Sequence, residues 1–398
     1  MPSTDPEAES EAARDIGSRP QDWMDRFLAG LGATLVDESS RFRLRKRVRR
    51  LVRVLFGVSA FGYTAFLLIV MFSLRWIGER NLALAFILYL PRTAFLIPSA
   101  LLLPLVLFAH RRSALGLLAS SLVFAVWSMD FRPHFVPSPT PSQVGRSLNI
   151  LTYNRGEHMN QSLQPFKNQV LPDLLLLQDA GGRSAGYLAS EGYEEFPYGL
   201  DLAEFTLLSR HPILSAAPVE IEHDRDKAPI AARFVIDFKG IQVAVYSVHT
   251  VSPRDTLQYY RRGAFLYGLF GLPGTPLAKK RHENQVYWDE RITEARTLRD
   301  RILADPLPVI IAGDFNAPAG GYIHGLFRSR FQDAHAEAGH GFGYSFPGTT
   351  RNPLSLGGPW MRIDYLFCDE HWRPTWCITE ADRPSQHRAV AAQFELTR

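Results

Sequence analysis

The sequence predicts an α/β protein, a mixed-sheet sandwich preceded by three transmembrane helices. Three observations predict it. Behind a strongly basic run, three stretches free of Asp, Glu, Lys and Arg occupy residues 54–74, 93–109 and 113–129. From Ser147 onward, short runs of branched apolar residues alternate with helical spacing and with one hairpin pattern. Within that half lies PVIIAGDFNAP, Pro308–Pro318, in which a buried strand stops at Gly313 and is followed at once by Asp314 and Asn316. Polar groups just past the carboxyl end of such a strand are where open α/β sheets keep their ligands. A strand closed by a polar turn is the plain alternative for this stretch taken alone.

Charge separates the two halves. Residues 1–143 carry 17 Lys and Arg against 11 Asp and Glu, whereas residues 144–398 carry 27 against 29. The carboxyl-terminal half is therefore net −2 within a chain of net +4. An enzyme acting on nucleic acid places a basic footprint on its catalytic domain, so DNA and RNA are disfavoured as substrates.

In order, residues 1–53 read as an amino-terminal region on the cytoplasmic side. It begins as a polar, acidic, disordered tail, continues through some helical spacing at Trp23–Leu35, and ends in eight basic residues within Arg41–Arg53. That run followed directly by an apolar stretch is a cytoplasmic membrane flank. Val54–Leu74 is long enough to cross a hydrocarbon core of about 30 Å and begins too deep for a cleaved signal peptide. Spans at Thr93–Ala109 and Ser113–Met129 complete a three-helix anchor over residues 54–130, with Arg92 at the outer interface. The excess of Lys and Arg before the first span and at His110–Arg112 places everything after Asp130 outside, giving a multi-pass protein of the cytoplasmic membrane with an extracytoplasmic domain. Residues 131–146, rich in proline, form a semi-rigid linker, and residues 147–398 form the domain beyond it.

Within that domain, strands are expected at Leu148–Asn154, Asp173–Leu177, Phe205–Leu208, Met361–Cys368 and Ala389–Leu396. Ala231–Phe238 and Ile241–His249 form a hairpin across Lys239-Gly240. Gln161–Val170 reads as a helix, and Trp288, Ile292, Ala295, Leu298 and Ile302 make the stripe of another. Cys368 and Cys377 flank an expected hairpin; a disulfide and two ordinary buried thiols are the two readings. Ser252–Tyr287 looks like an insertion, apolar and aromatic at Tyr259–Gly274. It is either a lid dipping into a membrane or a local helix packed on its own domain.

The strand ends carry Asn154, Asp179, His249, Asp314 with Asn316, Asp364 and His387. Each has an ordinary use as a turn cap, a core histidine or an ion-pair partner. Together they supply oxygen donors suited to Mg²⁺ (or Mn²⁺), two histidines and an Asp-Asn pair. Cleaving a phosphate ester needs that inventory: charge neutralised on the phosphoryl oxygens and a deprotonated water.

The order TYN, Q-acid, SR-x-PI, VH, GDFN, RIDYLF, S-x-H resembles the endonuclease/exonuclease/phosphatase superfamily across Ser147–Arg398. The resemblance implies a four-layer α/β sandwich of the deoxyribonuclease I type and a metal-dependent phosphoesterase. It implies that Asn154 and Asp179 build the metal site, that Asp314 activates the attacking water, and that Asn316 orients the phosphate. His249 would stabilise charge on the phosphoryl oxygens, and Asp364 would hold His387 in its working tautomer. The anchor with this domain is similar to a membrane-bound branch associated with glycopeptide resistance, which implies a lipid-linked phosphate such as a polyprenyl pyrophosphate as substrate. Two positions depart from the family pattern: Asp179 stands where Glu is usual, and Gln386 where Asp is usual. Both changes weaken a metal site, so a catalytically degenerate binding domain is one alternative and an extracytoplasmic nuclease another.

Overall fold

The computed structural model describes residues 38–134, 146–156, 162–221, 228–253, 265–348, 353–355, 357–383 and 385–397. The expected acidic tail, the helical spacing at Trp23–Leu35, most of the Pro-rich linker and the first part of the apolar insertion lie outside these residues. By contacts the chain divides into two compact units, Met1–Gly62 with Leu102–Leu117, and Tyr63–Leu101 with Leu118–Arg398. The first is helical in its described residues except at His110.

The second unit holds two six-stranded sheets. Its strands are β1 Ser147–Asn154, β2 Leu174–Gln178, β3 Tyr198–Leu202, β4 Phe205–Ser209, β5 Ile213–Pro218 and β6 Ala231–Phe238. They continue as β7 Ile241–His249, β8 Val309–Asp314, β9 Gln332–Asp333, β10 Asp364–Cys368, β11 Trp372–Thr379 and β12 Val390–Leu396. One sheet runs β11-β12-β1-β2-β4-β3 and the other β9-β10-β8-β7-β6-β5. Pairing is antiparallel except β1 with β2 and β7 with β8. Between the sheets, Leu148, Ile150, Leu174, Leu176 and Leu207 meet Phe234, Ile236, Val243, Val245 and Ile310. The outer face of the second sheet is covered by the helix Ala278–Leu303 through Ile292, Ala295, Leu298 and Ile302, the stripe read from the sequence. The fold is the expected sandwich of sheets with helices outside.

Three expectations need correction. Among the described residues, two helices are long and apolar enough to cross a membrane, Phe42–Trp76 and Arg92–Ala109. The expected third span is a 13-residue α-helix, Arg111–Val123, continued by a π-helical turn at Phe124–Ser128. The cysteines do not flank a hairpin. β10 belongs to one sheet and β11 to the other, so the chain crosses the sandwich between them. Both thiols are free and buried in the core between the sheets, where burial raises the Cys377 pKa to about 12. Arg92, expected at the outer interface, is buried within the protein and donates to the Ser128 carbonyl.

The unit also includes residues that precede the sandwich in sequence. Leu82–Leu88 forms a short helix capped by Asn81, whose Oδ1 accepts from the amides of Ala83 and Leu84. Leu82, Ala85, Leu88 and Tyr89 pack with Leu67, Met71 and Leu74 against Trp288, Met361 and Ile363. The described end of the apolar insertion is a helix, Phe265–Phe270, set on this layer, with Gly268 facing Ala83. At its end Phe270 and Leu272 stay exposed.

Gly313 is required by β8's surroundings. Its φ is +141°, and a Cβ there would lie 2.0 Å from the Val248 carbonyl oxygen. Gly313→Ala is expected to destabilise the protein by at least about 2 kcal/mol, read as a lowered Tm. An unchanged Tm would show that β7 and β8 do not approach this closely.

Candidate active site

Sheet register builds the site. In the second sheet His249 pairs with Asp314 across β7 and β8, and Asp314 pairs with Asp364 across β8 and β10. Two carboxylates and an imidazole therefore stand in one row at a sheet edge. In the first sheet Asn154 ends β1, and Asp179 follows the end of β2. Asp179 and Asn316 both turn the chain in the left-handed region, at φ +51° and +46°, which their short polar side chains tolerate better than branched ones do.

Asp314 is the centre. It is 1% exposed, and its Oδ2 accepts from Asn154 Nδ2 at 2.9 Å and from Asn316 Nδ2 at 3.2 Å. His249 Nε2 and His387 Nε2 each lie 3.7 Å from the same oxygen. Its other oxygen accepts the Asn316 amide at 2.8 Å. Asn316 Nδ2 also donates to the Thr250 carbonyl at 2.8 Å, and Asn154 Oδ1 accepts from the Gly156 amide at 2.8 Å.

Each histidine is backed by a carboxylate. His387 Nδ1 lies 3.1 Å from Asp364 Oδ2, and His249 Nδ1 lies 3.1 Å from Glu204 Oε1 and 3.8 Å from Asp179 Oδ1. Nδ1 is thereby assigned as the donor on both rings, which leaves both Nε2 atoms facing Asp314. Burial opposes charge on His249, but the hydrogen bond to Glu204, with Asp314, Glu204 and Asp179 nearby, raises its pKa to about 9. His387 is also raised: burial opposes its charge, and Asp364 with Asp314 outweighs burial. Asp314 is raised by burial, partly offset by His387 and reinforced by Asp364. Asp179 is raised by burial too, eased by His249 and worsened by Glu204.

All seven residues expected at the site thus join one contact network. Within it the acids and histidines form two potential cation-holding groups, Asp179 with Glu204 and His249, and Asp314 with Asp364 and His387. The donor chemistry fits a divalent cation. Asp179 and Glu204 are the open members, with side chains 36% and 31% exposed, so a cation there keeps water positions, as hard ions require. Asn154 Oδ1 retains a second lone pair beside its bond to Gly156. Gln386 is exposed and adjoins this cluster in sequence through His387.

Glu204 escaped the sequence analysis. It occupies a two-residue turn, Ala203-Glu204, between β3 and β4, and its carbonyl accepts the Ala180 amide at 2.8 Å, which fixes it beside Asp179. Ala203 has φ +52°, a conformation that Ala-Glu does not advertise as Asn-Gly would. The only signal was a carboxylate directly ahead of a buried strand.

The sequence pattern of the Endonuclease/Exonuclease/phosphatase family matches residues 148–387. The chain belongs to that family. Its members are metal-dependent hydrolases of phosphate esters, and this chain is such an enzyme. No curated protein sequence matches it. Similar solved structures include an endonuclease/exonuclease/phosphatase family protein from Bacteroides thetaiotaomicron, at 14% identity and TM-score 0.44, covering 63% of this chain and 98% of that one. The human Nocturnin catalytic domain with bound sulfate is 13% identical at TM-score 0.41, covering 63% and 94%. A beta toxin from Staphylococcus aureus is 15% identical at TM-score 0.39, covering 62% and 99%.

The His249 shift has a signed consequence. A histidine whose folded pKa is raised stabilises the fold fully below its unfolded value near 6.5, and that contribution is lost as pH climbs through about 9. In chelator, the wild type should lose more stability between pH 6.5 and 9 than His249→Gln does, measured by thermal unfolding across that range. Parallel curves would mean that Glu204 and Asp314 do not hold a charged ring.

Proposed function

We propose that this enzyme is a membrane-anchored phosphoesterase that uses Mg²⁺ (or Mn²⁺) to hydrolyse a phosphodiester, phosphomonoester or pyrophosphate on a lipid-linked substrate. The catalytic domain works on the outer face of the cytoplasmic membrane. The observation that carries this reading is the shared layer beneath the site, where Leu67, Met71 and Leu74 of the first apolar helix and Leu82–Tyr89 pack with Trp288 and Met361 of the catalytic domain.

Connectivity supports the orientation. Glu79, just past the first span, accepts from the Tyr322 amide at 2.6 Å, and Asp130, after the third apolar stretch, pairs with Arg362. Both points lie on the catalytic domain's side, so the polypeptide between them leaves and returns. One crossing before Glu79, from a basic cytoplasmic flank, then favours an outside domain. Arg362 also pairs with Asp333.

The chemistry follows from Asp314 and its neighbours. Burial raises Asp314 toward neutrality, which suits a base that takes a proton from water. The water oxygen attacks phosphorus, its proton passes to Asp314 Oδ2, and the bond to the leaving oxygen breaks. His387 Nε2, held by Asp364, returns a proton to that oxygen. His249 and the Asn316 and Asn154 amides supply donors around the same point. A divalent cation held by Asp179 and Glu204, with Asn154 Oδ1 in reach, would neutralise charge on the phosphoryl oxygens. Glu204 puts a second carboxylate beside Asp179, so the shorter acid does not leave this corner short of negative charge. The exposed Gln386 lies outside it. These two placements favour an active site over a degenerate binding domain, and the net −2 of residues 144–398 counts against a nuclease.

The full chain in detergent is tested against lipid phosphodiesters, lipid phosphomonoesters and a polyprenyl pyrophosphate, with Mg²⁺ or Mn²⁺ and with EDTA. Asp314→Ala and His387→Ala should each lower kcat by about 10²- to 10⁴-fold. Activity untouched by EDTA would remove the cation from the reading, and plasmid nicking in preference to lipid cleavage would favour the nuclease.

A further inference from the structure

The peptide carbonyl of Asn316 is held by two donors from outside the sheet edge. Tyr89 Oη donates to it at 2.7 Å, and Arg291 Nη2 donates at 3.0 Å. Arg291 Nη1 lies 3.3 Å from the same Tyr89 oxygen, closing a triangle. Tyr89 is 9% exposed, Arg291 4% and Asn316 7%, so no solvent competes for these bonds. Tyr89 is itself anchored, because its carbonyl accepts Trp360 Nε1 at 3.1 Å. The Trp360 amide in turn donates to Phe346 O, and the Phe346 ring lies 4.9 Å from the His387 ring.

Tyr89 comes from the segment between the two membrane-length helices, far from the catalytic strands in sequence. Arg291 comes from the helix Ala278–Leu303. Neither carries a family motif. Asn316 sits at φ +46°, and its amide and side chain both bond Asp314. A residue in that conformation keeps its peptide plane only if its surroundings fix the plane. The donors on its carbonyl do so.

We propose that Tyr89 and Arg291 are positioning residues for catalysis, and that the apolar amino-terminal segment is therefore part of the active-site scaffold as well as a tether. Seating Tyr89 sets the Asn316 peptide, which aims Asn316 Nδ2 and holds Asp314. The inference rests on Asn316 and Asp314 serving the proposed hydrolysis.

The test compares Tyr89→Phe with Tyr63→Phe in the full chain. Tyr63, on the helix Phe42–Trp76, makes a phenol-to-carbonyl bond of similar length, to Phe95 O at 2.8 Å, away from the site. The probe is bis-p-nitrophenyl phosphate with Mn²⁺, accompanied by hydrogen exchange over residues 313–320. Tyr89→Phe should lower kcat by about tenfold, leave KM within about twofold, and speed exchange of that segment by about tenfold, as expected for losing one buried hydrogen bond. Tyr63→Phe should shift Tm to a similar extent with kcat and the 313–320 exchange unchanged. Equal kcat values for the two variants, a fall in kcat matched by Tyr63→Phe, or unchanged exchange in Tyr89→Phe would overturn the proposal. A wild type that fails to cleave the probe or any lipid phosphate would sink the phosphoesterase reading, and exchange would still decide whether Tyr89 holds the loop.

Discussion

A carboxylate removed from water must be compensated by donors that cannot leave, and Asp314 is the place where this protein meets that demand. Two amides bond one of its oxygens, and two histidines point their Nε2 atoms at it from 3.7 Å. His387 Nε2 stops short of hydrogen-bond distance from Asp314 and stays available for a third party at that point, while His249 Nε2 lies 3.2 Å from Asn154 Nδ2. Each ring is held from behind by its own carboxylate, so neither is free to collapse onto Asp314. The result is a preorganised cavity of donors around one base. Such a cavity is costly to assemble and inexpensive to use, since little reorients when charge develops.

Much of this was legible because strand ends are legible. The run VIIAGD declares a buried strand that stops, and GDFN, VH and RID declare what stands at the stop. Register then does what sequence cannot show directly: it sets His249, Asp314 and Asp364 side by side. What stayed hidden had one of two causes. Glu204 lies in a turn whose residues give no turn signal, and its role depends on the Ala180 amide, which no pattern predicts. Tyr89 and Arg291 act through a backbone carbonyl, so no side-chain motif encodes them. The cysteine hairpin was misread for a third reason. Two strands joined by a tight connection look alike in sequence whether they pair or cross between sheets, and the sandwich chooses crossing because Cys368, Trp372 and Cys377 all fill its core.

The apolar amino-terminal segment shows the limit of counting apolar residues. Composition separates stretches that lack charge, but helix length and a π-helical turn decide which can span. Packing decides more. Residues 82–89 are apolar, yet their side chains are spent on Trp288, Met361 and Ile363. A segment that buries itself against a catalytic domain is no longer free to meet lipid there, and its polar groups become available to the site.

The site's own charge argues for the order in which its components assemble. Asp179, Glu204, Asp314 and Asp364 are four carboxylates, and His249 and His387 are two imidazoles with raised pKa values. With all six charged, this set carries −2, from four negative and two positive groups. A phosphate ester is itself an anion, so it meets repulsion in the cluster alone. The open corner at Asp179 and Glu204 is where that excess is reachable by solvent. Filling it with a divalent cation cancels the −2 and turns a repelling pocket into one that accepts a phosphate. Cation binding before substrate is therefore the order that electrostatics prefers, and the same reasoning explains why the exposed pair lies at the rim while Asp314 and Asp364 are kept dry behind it.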